Sequence, residues 1–207
     1  MQRPDLYAAC HAAGGMSAFE WERDPRRLGF ILARYKFAAR MLEGRARVLE
    51  VGCADGFGSR IVRQHVGELT AIDIDAASIA AANAHQCASW PIRFWEHDIL
   101  AEALCGFDAV YSLDLIEHMD PWTEERTYLE HLRAAAPVAV IGSPSLESQP
   151  YASGLSRRGH VNCKTGPGLR AALERHWNHV FLFGMNDETL HTGFAPMAHY
   201  RLAVCAG

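Results

Sequence analysis

The sequence predicts an α/β chain built as a three-layer sandwich, with helices on both faces of one mostly parallel sheet. Three observations predict it. Short apolar runs alternate with helical stretches along most of the chain, the pattern of βαβ units. The first apolar run ends in a glycine-rich turn that opens a helix. Seven runs of strand length occur, and the last two follow each other with no helix between them, so the final strand is expected to run antiparallel.

Each element has its own signal. Residues 1–24 show no clear period and read as a cap segment ahead of a core spanning 25–207, all within one domain. Over 24–42, Leu28, Ile31, Leu32, Tyr35, Ala39 and Leu42 recur at three- and four-residue spacing, which predicts a helix. Asp24-Pro25 starts it and Gly44 lies just past its end. Strand 47–51 leads through the glycine turn to a helix at 59–65. Strand 69–72 ends at Asp73, and the alanine-rich run 76–84 follows as a helix. Strands 92–95 and 107–112 come next. The loop Asp120-Pro121-Trp122 precedes a helix at 124–134, and 138–141 is the fifth strand. The last third differs: 143–165 is a long polar loop, 169–176 a helix, and 180–183 and 199–204 are strands joined by an irregular segment at 184–196. A loop as long as 143–165 inside a compact domain is more often functional than idle.

Composition bounds the function. The 207 residues are 49% hydrophobic and 21% charged, ordinary for a globular chain. No run of about 18 apolar residues occurs, so no membrane span is expected. No basic-then-apolar leader opens the chain. The net charge of −4 and the lack of a basic stripe argue against a large polyanionic partner such as nucleic acid. The six cysteines, Cys10, Cys53, Cys87, Cys105, Cys163 and Cys205, include no C-x-x-C pair. They read as reduced thiols in a cytoplasmic protein.

A strand, a glycine-rich turn and a helix build a nucleotide site, because small residues admit a ligand to the backbone and the helix start offers unpaired N–H groups. Here Glu50, Gly52, Gly56 and Gly58 fall in the pattern E-x-G-x-A-x-G, which is not the dinucleotide fingerprint. It resembles the first motif of the class I S-adenosylmethionine-dependent methyltransferases, with Ala54 in place of the usual middle glycine. At Ala54 the turn must hold a negative φ or bear strain. The resemblance implies a Rossmann-like fold and S-adenosyl-L-methionine as cofactor. It places Gly52, Cys53 and Gly56 in the turn and Glu50 beside it. Asp73, about twenty residues on, would accept from both ribose hydroxyls. Asp98 would read the adenine amine, with Ile74 and Ile99 sandwiching the base. Ser112 closes a run, Phe107 to Ser112, that looks like the family's fourth-strand motif. Arg34, just ahead of the first strand, would meet the methionyl carboxylate.

The reaction is expected elsewhere, in Asp114-Leu115-Ile116-Glu117-His118. If a helical turn starts after Ser112, Asp114, Glu117 and His118 share a face at i, i+3 and i+4. Two carboxylates and an imidazole suit a divalent cation. The run is similar to the E-x-x-E-H of ubiquinone-biosynthesis O-methyltransferases and small-RNA 2′-O-methyltransferases. The second resemblance implies a Mg²⁺ site of Asp114, Glu117, His118 and a later histidine, here His160. The cation would stabilise an alkoxide; alternatively His118 or His160 serves as base, with Glu117 beside it.

The expected reaction is methylation of a hydroxyl on a small polar acceptor such as a sugar or nucleotide-sugar. The alternatives are N- or C-methylation of a small molecule, RNA 2′-O-methylation, and a non-catalytic cofactor-binding protein of the same fold. The acceptor's identity and the oligomeric state are not legible in the sequence.

Overall fold

The computed structural model describes residues 15–207. Two helices come first, α1 (Gly15–Arg23) and α2 (Pro25–Met41). The alternating core follows as β1 (Arg47–Val51), α3 (Ser59–Arg63), β2 (Glu68–Asp73), α4 (Ala76–Ala84), β3 (Arg93–Glu96), β4 (Ala109–Leu113), α5 (Glu125–Ala135) and β5 (Val138–Pro144). The chain closes with α6 (Gly154–Gly159), α7 (Gly166–Leu173), β6 (His179–Asn186), β7 (Thr189–His191) and β8 (Tyr200–Ala206).

One sheet carries all eight strands in the order β3-β2-β1-β4-β5-β8-β6-β7. The first five are parallel, and β8 inserts antiparallel between β5 and β6. The expected antiparallel last strand is present, but the count is eight rather than seven. The additional strand, β7, lies in the stretch read as irregular. It folds back on β6 through a tight turn in which Asp187 takes φ +52, a conformation that aspartate tolerates better than most residues.

Local signals start the helices. Asp24 caps α2 through a bond from the Arg26 amide, with Pro25 in the first turn. Asp75 caps α4 and Thr165 caps α7 in the same way. The polar run 143–165 is more ordered than expected. Ser145 caps a 3-10 helix at Leu146–Tyr151, and Ser153 caps α6. Its serines are helix starts rather than loop filler.

The sheet is buried on both faces, which explains why its strands read as unbroken apolar runs. One face packs Leu49, Ile72, Val110 and Ile141 against Leu129, Leu132, Leu173 and Trp177 of α5, α7 and the turn after α7. The other packs Val48, Ala71 and Tyr111 against Tyr35, Ala38 and Leu42, and against Ile79 of α4. Among the described residues no helix is long and apolar enough to cross a membrane, and Cys53, Cys87, Cys105, Cys163 and Cys205 are free thiols. Cys10 lies outside the described residues.

Strand order reverses between β1 and β4, since β1 continues to β2 on one side while β4 lies on the other. Open α/β sheets bind ligands in the crevice at such a switch point, beyond the carboxyl ends of the strands. The glycine turn after β1 and the acidic–histidine run after β4 both emerge there.

Candidate active site

The turn after β1 bends through three left-handed residues, Gly52 (φ +84), Ala54 (φ +47) and Gly56 (φ +70). Ala54 therefore bears strain. Its amide donates to Asp73 Oδ2 at 2.8 Å, which ties the turn to the end of β2. A left-handed L-residue costs about 1–2 kcal/mol, and glycine gives back about 0.5–1 kcal/mol of that through its freer unfolded chain. Ala54→Gly is expected to stabilise the protein by about 0.5–1 kcal/mol, a rise in Tm of about 2 °C for a chain of this size. Thermal unfolding of the two proteins side by side checks the sign.

The other glycines serve packing. A Cβ at Gly56 would sit 2.5 Å from the Phe94 ring, and one at Gly58 only 2.3 Å from the Tyr35 ring. Gly58 thus lets Tyr35 of α2 approach Glu50. Glu50 is 1% exposed beneath the turn. Burial raises its pKa to about 7, against the pull of the nearby Ser59, Tyr111 and Tyr35 hydroxyls. Asp55 caps α1, accepting from the Ser17 amide at 3.1 Å, so α1 rests on the turn.

Three cavities line this end of the sheet. A slot of about 90 Å³ lies among Val51, Gly52, Asp73, Ile74, Asp98, Ile99 and Leu115. A cavity of about 330 Å³ runs from Gly52, Ala54 and Asp73 past Arg34 and Asp114 to Glu117, His118 and His160. A third, about 520 Å³, shares Arg27, Arg34, Ser156 and His160 with it and extends to Ser148, Gln149, Tyr151 and His199.

The run after β4 departs from the expected single face. Asp114 takes φ +57, and the helical turn is a short 3-10 segment, Ile116–His118, starting two residues later. Arg34 Nη1 lies 2.8 Å from both oxygens of Asp114, and its guanidinium stacks 3.9 Å from the Tyr200 ring centroid. Asp114 is thereby committed to Arg34. Glu117, His118 and His160 do converge, with one potential ligand atom from each within 4.8 Å of the others.

Glu117 is fully buried, and neither carboxylate oxygen has a hydrogen-bond partner. Burial, with the Asp114 charge nearby, raises its pKa to about 8. His118 Nδ1 lies 2.9 Å from the Gly159 carbonyl, and the His118 and His160 rings meet edge to face at 5.2 Å. Burial, then the neighbouring His118, lowers the His160 pKa. A polar network draws His160 in from 42 residues away. The Asn162 amide donates to the Glu117 carbonyl at 2.9 Å, and its side chain donates to Glu125 Oε2 at 2.5 Å. Lys164 Nζ closes the network, 2.7 Å from Glu125 Oε2 and 2.9 Å from Asn162 Oδ1.

Comparison with known proteins bears on this geometry. A family model described as a methyltransferase domain matches residues 48–137. An uncharacterized methyltransferase of Mycobacterium tuberculosis is 29% identical over 135 residues, 64% of this chain and 65% of the relative. A ubiquinone biosynthesis O-methyltransferase of Pseudomonas fluorescens is 34% identical over 104 residues, 47% of this chain and 42% of the relative. The matches thus span less than two thirds of these relatives. The methyltransferase domain of bacterial CtHen1-C superposes with a TM-score of 0.71 at 14% identity, covering 86% of this chain and 98% of that one. The N-methyltransferase NodS from Bradyrhizobium japonicum, in complex with S-adenosyl-L-homocysteine, gives 0.62 at 20% identity, covering 91% of each.

Residues 48–137 match the methyltransferase domain family, and the chain as a whole has the fold of the solved methyltransferases.

The methyltransferase domain match implies S-adenosyl-L-methionine as cofactor, and the residues at this end of the sheet fit it. Ile74, 67% exposed, lines the narrow slot together with buried Ile99 and with Asp98. A purine has apolar faces and a polar rim, which that slot suits. Asp73 opens into both the slot and the larger cavity, and Arg34 lines the latter.

Four sequence expectations need correction. Glu50 and Cys53 point into the interior rather than into a cavity. Gly56 admits Phe94. Ser112 is buried and donates to the Val51 carbonyl at 2.8 Å, holding β4 to β1. Asp114, expected as a cation ligand, is held by Arg34. What the sequence reading missed is Arg34 as the partner of Asp114, the Asn162–Glu125–Lys164 network, and Gln149, whose side chain meets His160. The only sequence signal for the last is the pair of serine caps that order residues 145–159.

Proposed function

We propose that this methyltransferase transfers the methyl group of S-adenosyl-L-methionine to a hydroxyl of a small, oxygen-rich acceptor, with a divalent cation held by Glu117, His118 and His160. One observation carries the reading: those three residues share a cavity with Gly52 and Ala54 of the turn after β1 and with Asp73 at the end of β2.

The donor set supports a cation. Metal–oxygen bonds of about 2.1 Å place opposite ligands about 4.2 Å apart, and the cluster's 4.8 Å span is close to that. The two unpartnered oxygens of buried Glu117 are what a cation would satisfy. Two imidazoles and one carboxylate favour Mn²⁺ over Mg²⁺, because imidazole is a softer donor than water or carboxylate. Three protein ligands leave positions open for acceptor oxygens.

The cofactor, when bound, supplies an electrophilic methyl on a sulfonium. The chain's own residues would do the rest. Asp73 and the Ile74–Ile99 slot hold the nucleoside end, and Arg34 offers positive charge toward the carboxylate end. Glu117, His118 and His160 would hold the cation, which would supply Lewis acidity toward the acceptor hydroxyl. The cavity beyond His160, with Ser148, Ser153, Ser156 and Tyr151 on its walls, has room for a sugar-sized acceptor.

Chelation tests the reading. Purified protein is given S-adenosyl-L-methionine and a panel of vicinal-diol acceptors, and S-adenosyl-L-homocysteine is measured. Turnover should vanish with EDTA and return with Mn²⁺, more weakly with Mg²⁺. Turnover indifferent to EDTA would sink the metal role and favour N- or C-methylation, where positioning alone suffices.

A further inference from the structure

His118 and His160 sit side by side but are held differently. His118 Nδ1 meets a backbone carbonyl, Gly159 O. His160 Nδ1 meets a side chain, Gln149 Oε1, at 3.0 Å. The orientation of that amide is forced. Gln149 Nε2 lies 3.1 Å from the Ser145 carbonyl, which can only accept, so the nitrogen must face Ser145 and the oxygen must face the imidazole. Ser145 is itself immobilised: fully buried, it donates from its amide to the His199 carbonyl at 3.0 Å and from its hydroxyl to the Ala198 carbonyl at 2.6 Å. A chain of bonds therefore runs from the start of β8 through Ser145 and Gln149 to His160.

An oxygen at Nδ1 requires Nδ1 to carry the proton, which leaves the lone pair on Nε2. We propose that Gln149 is the positioning residue of this site, holding His160, which clusters with Glu117 and His118, in the Nδ1–H tautomer so that the lone pair is on Nε2. Its consequence for cation binding rests on the function proposed above; the tautomer itself does not. Histidine ligands of metals commonly donate their other N–H to an oxygen, and removing that partner costs about 10–100-fold in affinity. His118 draws its partner from the backbone, beyond the reach of side-chain substitution. His160 draws it from a residue that can be changed.

The test uses metal-free, ¹⁵N-histidine-labelled protein at pH 8 and the variants Gln149→Leu and Gln149→Glu. Two-bond ¹⁵N–¹H correlation spectra report which nitrogen of each ring is protonated. Wild-type His160 is expected as Nδ1–H; Gln149→Leu should lose that form and Gln149→Glu keep it. His118 should read Nδ1–H in all three, which shows that the fold is intact. Calorimetric titration with Mn²⁺ should then show about tenfold or greater loss in Gln149→Leu and no loss in Gln149→Glu. A wild-type His160 protonated on Nε2 overturns the proposal. So does a Gln149→Leu variant that keeps both the tautomer and the Mn²⁺ affinity. If the tautomer follows Gln149 but no protein binds Mn²⁺, the positioning role stands and the cation reading falls.

Discussion

Glu117→Gln is expected to abolish divalent-cation binding and to lower turnover about 10³-fold while the protein stays folded. A cation that stabilises a developing alkoxide supplies several kcal/mol of transition-state stabilisation, and each 1.36 kcal/mol is about tenfold in rate. Glutamine keeps the shape of the side chain but cannot carry its charge. The fold should tolerate the change because neither Glu117 carboxylate oxygen has a close hydrogen-bond partner, while its backbone carbonyl, which holds Asn162, is untouched. The wild type carries a matching pH signature. With its pKa raised to about 8, Glu117 holds a proton at neutral pH that a cation must displace. Mn²⁺ affinity should therefore rise about tenfold per pH unit up to about pH 8 and level off above it. Calorimetric titration across pH 6–9 reads that slope, and a flat profile would remove Glu117 from the ligand set.

The second large effect is on stability. Glu50 is buried and its pKa is raised to about 7 from an ordinary 4.5. Below pH 4.5 the carboxyl is protonated in both folded and unfolded chains, and its burial carries no charge penalty. Between pH 4.5 and 7 the folded chain keeps a proton that the unfolded chain has released, so stability falls as pH rises. Above pH 7 the full penalty stands, about 3 kcal/mol at about 1.4 kcal/mol per pKa unit. Glu50→Gln has no such proton to lose. It should melt about 6–12 °C above wild type at pH 8, with the difference vanishing toward pH 4. Calorimetric scans from pH 4 to 9 would show it; a gap that does not shrink toward acid pH would mean that charge burial is not its source. The same variant should bind S-adenosyl-L-methionine more weakly, because a negative carboxylate behind the turn favours a cationic ligand in front of it.

Glu50 also shows why part of the site was hidden in the sequence. An acidic residue at the end of a strand and ahead of a glycine turn marks the cofactor end of the sheet, and that much follows from spacing. Whether its side chain faces the ligand or the core depends on which neighbours approach. Gly58 admits Tyr35, and Tyr35 with Ser59 and Tyr111 surrounds the carboxyl on its inner side. Ser112 and Cys53 were turned inward in the same way. That Asp73, Ile74, Asp98 and Ile99 would line the crevice was legible, because a residue just past a parallel strand's carboxyl end has little choice but to meet it; their contact with a cofactor belongs to the function proposed above.

The sequence by itself determined the alternation of strands and helices, the turn that marks the cofactor end, the second-strand aspartate, and the pairing of Glu117 with His118. These are local properties, written in periodicity and in residues a few positions apart. Only the tertiary structure decided which side chains cluster beside the turn. A left-handed φ of +57 at Asp114 points its carboxylate at Arg34, 80 residues earlier, and takes it out of the cluster. The strand order sets β1 beside β4, which joins the turn to the cluster. The Asn162–Glu125–Lys164 network brings His160 to His118 across 42 residues, and Gln149 orients it. Spacing records distance along the chain; which side chains meet is set by backbone direction and by the partners that packing supplies.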